Sequence, residues 1–123
     1  MALLDARTRA RASPAFLQEA EVSVLKVTAS WCGPCKRIQP CFRDLCSRYP
    51  NVEVFELDVS EATDDSEAGV LLSALDVSGV PTFISFRGGV EVARYAGISE
   101  DQLALLFATA QSSARQDLGE KRK

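Results

Sequence analysis

Two cysteines separated by two residues, Cys32 and Cys35, are the side chains of this sequence whose type and spacing best fit a chemical reaction. They lie in the segment Trp31-Cys32-Gly33-Pro34-Cys35, which joins an apolar run to a helical pattern. The free N–H groups and the positive end of the dipole at a helix N-terminus stabilise a thiolate. We expect Cys32, as the more exposed thiol, to attack a disulfide. Cys35 would then attack the mixed disulfide and release the reduced product.

The residues between the two cysteines fit this chemistry. Pro34 limits the conformations that the two sulfurs can adopt, and Gly33 leaves room for an incoming substrate. A structural disulfide and a zinc site are the alternatives. A four-cysteine zinc site would need Cys41 and Cys46, which lie five residues apart in one predicted helix. They would point about 140° apart around its axis and could not converge on a shared ion. We therefore expect no metal site.

Composition narrows the function further. The chain has 123 residues, 46% of them hydrophobic, and a net charge of −3. This predicts one folded domain over residues 1–112, followed by a charged, disordered tail over residues 113–123. Histidine is absent, which excludes Cys-His and Ser-His catalytic pairs and mixed Cys/His zinc sites. No basic stripe with interleaved aromatic residues is present, so nucleic acid is not an expected partner.

The sequence also bears on location. No apolar run has the length of a membrane span, so we expect no membrane partner and a cytoplasmic protein. Arg7, Arg9 and Arg11 are a feature of mitochondrial presequences, but Asp5 and the shortness of the segment argue against that interpretation. Four cysteines in an intracellular chain favour catalysis or metal binding over a disulfide framework.

The hydrophobic pattern predicts the elements that position the cysteines. Ser13-Pro14 marks a helix start, and the residues before it form either a short edge strand or no regular structure. The β-branched run 22–28 predicts a central strand with both faces covered. In the helix after Cys32, with a kink expected at Pro40, the apolar stripe comprises Cys35, Ile38, Phe42, Leu45 and Tyr49.

The second half of the chain predicts alternating elements of the same kinds. A strand is predicted over residues 52–57, an acidic loop over 60–69, a short helix over 70–75, and strands over 82–86 and 90–95 around Gly88-Gly89. Ser99 and Gln102 predict a capping box at the start of a last helix. This order predicts an α/β fold with three α/β/α layers around a central mixed β-sheet.

The pentapeptide and two further motifs resemble the thioredoxin family. Residues 31–35 followed by Lys36 are similar to its active-site motif, Gly79-Val80-Pro81-Thr82 to its cis-proline loop, and Gly97 to a glycine that faces the active site. The resemblance covers residues 13–112. It implies a cis peptide bond before Pro81 and a Val80 backbone that pairs with an extended substrate, with Trp31, Val80, Pro81 and Gly97 forming an apolar contact surface.

The same resemblance implies a function. A family member of this kind reduces disulfides in client proteins, with Cys32 attacking and Cys35 resolving, and it needs no bound cofactor. Thioredoxin reductase or another dithiol donor would keep it reduced. The alternatives are a dedicated electron donor to one partner, such as a peroxidase, and a redox-linked module that binds clients through its apolar surface.

Lys26 is the main departure from the family pattern. Typical thioredoxins have a buried aspartate six residues before the first active-site cysteine, where this chain has Lys26. Strand alternation places Lys26 on the face of Val24 and Thr28, so we expect partial desolvation. Lys26 would then exchange protons with the active-site cysteines or stabilise their thiolate. The alternative is that its stem extends outward and its charge is neutralised by water or an acidic partner.

The Lys26-Val27-Thr28 segment also gives a weaker resemblance to the N-terminal domain of thioredoxin-like protein 1.

Two other features have simpler interpretations. The acidic loop is longer than the family norm and is interpreted as a solvated insertion, with charge-based selection of partners as the alternative. Cys41 and Cys46 flank the apolar stripe of the active-site helix. We interpret them as small core residues, with a regulatory thiol as the alternative.

Overall fold

The computed structural model describes residues 8–9, 20–63 and 65–121. In chain order the elements are strands and helices that alternate as the sequence predicts, with a hairpin near the end. They are β1 Thr8–Arg9, β2 Val22–Thr28, α1 Gly33–Arg48, β3 Glu53–Asp58, a 3₁₀ helix Val59–Glu61, α2 Glu67–Leu75, β4 Thr82–Arg87, β5 Val90–Ala96 and α3 Glu100–Lys121. The helix predicted at Ser13-Pro14 lies outside the described residues.

The five strands form one mixed sheet in the order β1-β3-β2-β4-β5. β3 pairs in parallel with both β1 and β2, whereas β4 pairs antiparallel with β2 and β5. The predicted strands, the hairpin at Gly88-Gly89 and the short edge strand before Ser13 are confirmed. β2 is the central strand and is buried on both faces, which explains why its sequence lacks a polar face.

Two apolar clusters hold helices against the two faces of this sheet, so the predicted three-layer α/β/α architecture is confirmed. On one face, α1 and α3 pack through Phe42 and Phe107, whose ring centroids are 5.9 Å apart. Phe42 also packs on Phe83 of β4 at 5.7 Å. On the other face, Leu71 of α2 packs in a cluster with Leu25, Phe55 and Ile84.

Helix α1 extends from the active-site segment into this core. The predicted stripe is confirmed at Cys35, Ile38, Phe42 and Leu45, which are buried, while Tyr49 is the half-buried C-cap residue. Pro40 lies on the exposed side of α1, and the helix continues through it without interruption. The core contacts of the stripe offset the hydrogen bond that the proline ring removes.

Helix α2 begins three residues earlier than the sequence pattern predicts, so the acidic loop is shorter than expected. Ser66 is the cause: its hydroxyl accepts the N–H of Gly69 at 3.0 Å and donates to the carbonyl of Thr63 at 2.8 Å. This N-cap starts the helix at Glu67, and the 3₁₀ turn takes up residues 59–61. Between these two elements the structure describes residues 62–63 and 65–66.

Gly69 is required by this tight connection. A Cβ atom at Gly69 would lie 1.9 Å from the carbonyl oxygen of Thr63. Gly69→Ala is therefore expected to lower the free energy of unfolding by about 1–3 kcal/mol, the usual cost of overpacking. Urea unfolding monitored by circular dichroism measures it. Gly79→Ala is the matched control, because nothing lies within 4 Å of its added Cβ. Equal stability of the two variants would contradict the prediction.

Helix α3 corrects the prediction of a disordered tail. It runs from Glu100 to Lys121, so residues 113–121 are helical. This segment is rich in residues that favour helices, and only Gly119 opposes it. Because Leu103, Leu106 and Phe107 already fix the first turns against the core, extending the helix does not require a new nucleus. The division of the chain at residue 112 stays a prediction.

Candidate active site

The two active-site cysteines lie where β2 leads into α1, and they form a disulfide with a Cα–Cα distance of 5.3 Å. Cys32 is the N-cap residue of α1, and its Sγ accepts the backbone N–H of Cys35 at 3.1 Å. No acidic residue occupies the first turn of α1. Both the hydrogen bond and the helix dipole therefore favour negative charge on the Cys32 sulfur.

Exposure distinguishes the two sulfurs less clearly than the sequence predicted. Cys32 is 4% exposed and Cys35 is 2% exposed, so both are buried in this oxidised form. The two differ instead in their position on the helix. Cys32 lies at the cap and receives the N–H of Cys35, whereas Cys35 lies inside the first turn and packs into the core.

The predicted cis-proline loop lies beside the disulfide. The Val80–Pro81 peptide bond is cis, and Val80 packs in a small cluster with Ala29, Cys32 and Cys35. The carbonyl of Pro81 accepts the N–H of Gly97 at 3.2 Å. The structure thus brings the cysteine pair, the proline loop and the Gly97 segment to one end of the sheet. Trp31 and Gly33 are exposed next to the disulfide, and Pro34 is half-buried.

The Tyr95 hydroxyl lies against the Gly97 segment, a contact that the sequence did not predict. Gly97 has φ +144°, and an added Cβ would lie 2.6 Å from the Tyr95 hydroxyl. That hydroxyl accepts the N–H of Ser99 at 2.7 Å. The predicted capping box is therefore only half formed: Ser99 Oγ accepts the N–H of Gln102 at 3.2 Å, but its own N–H is taken by Tyr95.

A short hydrogen-bonded chain holds the segment before Trp31. The hydroxyls of Ser30 and Ser60 are 3.0 Å apart, and the Ser60 hydroxyl also donates to the Asp58 carboxylate. The backbone N–H of Ser60 donates to the same carboxylate at 2.9 Å. The connection after β3 is thereby fixed to the loop that presents the cysteines.

Lys26 is buried on β2, with 2% of its surface exposed. Its ammonium donates to the side-chain oxygen of Gln39, lies 3.6 Å from the Glu56 carboxylate, and sits 5.0 Å from the centre of the Phe42 ring. An acidic partner therefore balances the charge of Lys26, and the side chain does not extend into water. Gln39 follows Cys35 by one helical turn of α1.

Burial dominates the titration of this ion pair. Desolvation lowers the pKa of Lys26, and the nearby Glu56 carboxylate opposes that shift. Desolvation likewise raises the pKa of Glu56, and the Lys26 ammonium opposes it. Glu56 and Gln39 were not foreseen, because a single glutamate in a strand and a glutamine in a helix carry no signal of burial.

Cys41 and Cys46 lie outside the Cys32–Cys35 disulfide; Cys46 is buried and Cys41 half-buried. Burial raises the pKa of Cys41, and the carboxylates of Glu100 and Asp44 raise it further. A high pKa disfavours a reactive thiolate, which supports a packing role. Within the described part of the chain, no group of three or more histidine, cysteine or acidic side chains could hold a metal ion.

None of the helices among the described residues is both long and apolar enough to cross a membrane.

Comparison with known proteins places this arrangement in a family. The family model described as Thioredoxin matches residues 8–109. Rice (Oryza sativa subsp. japonica) thioredoxin H2-1 is 35% identical over 91 residues, which are 74% of this chain and 62% of that protein. The chain therefore spans less than two thirds of that relative.

Solved structures give the same result. The oxidised thioredoxin O2 of Arabidopsis thaliana has a TM-score of 0.68 at 31% identity, over 84% of this chain and 93% of that one. A chain from work on the thiol resolving mechanism of yeast mitochondrial 1-Cys peroxiredoxin has a TM-score of 0.64 at 26% identity, over 73% and 79%. With its Cys-Gly-Pro-Cys pair beside a cis-proline, and with a family match over most of its length, the chain belongs to the thioredoxin family.

Proposed function

We propose that this protein reduces disulfides in client proteins. The observation that carries the proposal is the position of Cys32: its sulfur caps α1, accepts the N–H of Cys35, and packs beside Val80 of the cis-proline loop. A sulfur held in this way is stabilised as a thiolate and is placed where a client would dock.

The reaction transfers two electrons through the cysteine pair. The Cys32 thiolate attacks one sulfur of the client disulfide, forming a mixed disulfide and releasing the other client sulfur as a thiolate. Cys35 then loses its proton and attacks the Cys32 sulfur. The second client thiolate leaves, and the Cys32–Cys35 disulfide of the structure is formed. The client is reduced and the enzyme oxidised, so a dithiol donor such as a thioredoxin reductase must restore the dithiol.

Client binding is proposed to use the surface around the disulfide. Val80 packs against Cys32 and Cys35, and an extended client segment would pair with its backbone as a strand does. Trp31, 69% exposed, supplies apolar contact, and Gly33 beside Cys32 is exposed as well. Pro81 itself is buried and Gly97 half-buried, and the two are joined by a backbone hydrogen bond.

Reduction of insulin in the presence of a chemical dithiol tests this function. We expect turbidity from the released insulin chains to appear faster with the protein than with the dithiol alone. A rate equal to that of the dithiol alone would overturn the reductase function and favour the client-binding module.

A dedicated electron donor to one partner is the second candidate. Its support is the structural similarity to the chain from the yeast 1-Cys peroxiredoxin work. A dedicated donor would reduce an oxidised peroxidase much faster than it reduces insulin, so the ratio of the two rates separates the candidates.

We also propose a positioning role for Lys26. Its ammonium donates to Gln39, one turn beyond Cys35, and the Glu56 carboxylate, 3.6 Å away, favours the charged form of Lys26. In this position it would stabilise a thiolate on Cys35 during resolution or take part in proton exchange with it.

A cytoplasmic location is proposed as well. The free thiol of Cys41 supports it, because unpaired cysteines are typical of reducing compartments. Cell fractionation with a specific antibody tests it, and recovery in the mitochondrial fraction would contradict it.

A further inference from the structure

The Arg37 side chain lies near the active-site turn, and it has no role in the proposed mechanism. It is exposed on α1, one helical turn after Gly33. Its Nη1 atom is 4.0 Å from the point where a Cβ on Gly33 would be. The guanidinium therefore lies against the residue that follows Cys32, at about van der Waals distance from the position of a Cβ there.

In the part of the chain whose side chains the structure describes, the Arg37 guanidinium has no acidic partner. Among residues 20–63 and 65–111, no ion pair involves Arg37 or its exposed neighbour Lys36, and the first turn of α1 contains no acidic residue. Arg48, farther along the same helix, differs: it pairs with Asp44 at 3.0 Å. The fork of an unpaired guanidinium matches a carboxylate, which it binds with two parallel hydrogen bonds.

We propose that Arg37 is a specificity-determining residue that binds a carboxylate of the client, so that disulfides flanked by aspartate or glutamate are reduced preferentially. The inference rests on the proposed reductase function. An extended client advances about 3.3 Å per residue. A carboxylate one or two residues from the cysteine attacked by Cys32 would therefore come within reach of the guanidinium above Gly33. Trp31, exposed on the same approach, contacts the apolar part of such a segment.

Two synthetic disulfide peptides test this inference. They are identical except for a glutamate or a glutamine beside the cysteine, and the measured quantity is the ratio of their kcat/KM values. For an exposed charge pair we expect a ratio of about three to five in favour of glutamate at low salt. High salt should lower it, because mobile ions screen exposed charges.

Two arginine variants make the experiment specific. Arg37→Gln should bring the ratio to about one, whereas Arg48→Gln, the matched control on the same helix, should keep the wild-type ratio. A wild-type ratio of one, or an unchanged ratio in Arg37→Gln, would overturn the role of Arg37. If Arg37 merely stabilised the Cys32 thiolate, both peptides would slow equally and the ratio would not change. Failure of the wild type to reduce either peptide would instead overturn the reductase function itself.

Discussion

Cys35→Ser is expected to accumulate as a covalent complex with its clients instead of releasing them. The variant keeps the Cys32 thiolate, the cis-proline loop and the exposed Trp31, so the first attack still takes place. The serine hydroxyl cannot displace the Cys32 sulfur from the mixed disulfide. Turnover of insulin should therefore fall by at least about a thousand-fold, a loss of the order seen when a nucleophile is removed.

Non-reducing gels followed by mass spectrometry detect the trapped complexes, and a reductant should release them. Cys32→Ser should neither turn over nor trap clients. Cys41→Ser, on the same helix but outside the disulfide, is the matched control and should retain wild-type turnover. Trapping by Cys32→Ser rather than by Cys35→Ser would reverse the roles assigned to the two cysteines.

The second large effect concerns the buried ion pair. Lys26→Met leaves the Glu56 carboxylate buried without its ammonium partner, a change that typically costs about 3–5 kcal/mol of stability. Replacing both residues, as in Lys26→Met with Glu56→Leu, removes the uncompensated charge and should restore most of that loss. Equal instability of the single and double variants in urea unfolding would contradict this account.

The Lys26→Met variant should also acquire a characteristic pH dependence. Burial already raises the pKa of Glu56 above its ordinary 4.5, and Lys26 opposes this shift. Without Lys26, the folded pKa rises further, so between 4.5 and that value the folded state binds more protons than the unfolded state. Stability must then fall as the pH rises through this window. Lys26→Met with Glu56→Gln lacks the titrating group and should show no such fall, whereas a persistent fall would refute its assignment to Glu56.

The same variants test the catalytic role of Lys26 separately from its structural one. If the ammonium stabilises the Cys35 thiolate, Lys26→Met should raise the pKa of that thiol and slow resolution of the mixed disulfide. Absorbance at thiolate wavelengths across a pH series measures the titration. A wild-type titration and a wild-type reduction rate in a destabilised Lys26→Met would show that Lys26 serves only the fold.

Much of this fold could be predicted because its signals are local. The β-branched run of β2, the stripe on α1 and the Gly88-Gly89 turn each reflect contacts that repeat with a strand or helix period. The cis bond at Pro81 followed from the resemblance of its loop to the family motif, since one Val-Pro step carries no local sign of its isomer.

The residues that escaped prediction depend on contacts between distant parts of the chain. Burial of Glu56 follows from its register opposite Lys26 in the β2–β3 pair. The Tyr95 hydroxyl can accept the N–H of Ser99 because Gly97 has no side chain, whose Cβ would collide with that hydroxyl. The early start of α2 was different: Ser66 and Gly69 are local cap signals, but the acidic composition of the segment favoured a loop.

The order of strands in the sheet has a consequence for how the protein behaves at high concentration. A strand at the border of a sheet presents unpaired backbone groups that can recruit a second molecule and begin aggregation. At one border, β1 contains only two residues. At the other, β5 carries Glu91 and Arg94, paired at 2.7 Å, and the register shift near Ser85 and Phe86 makes its pairing with β4 irregular. These features make both borders, as far as the structure describes them, poor templates for pairing between molecules.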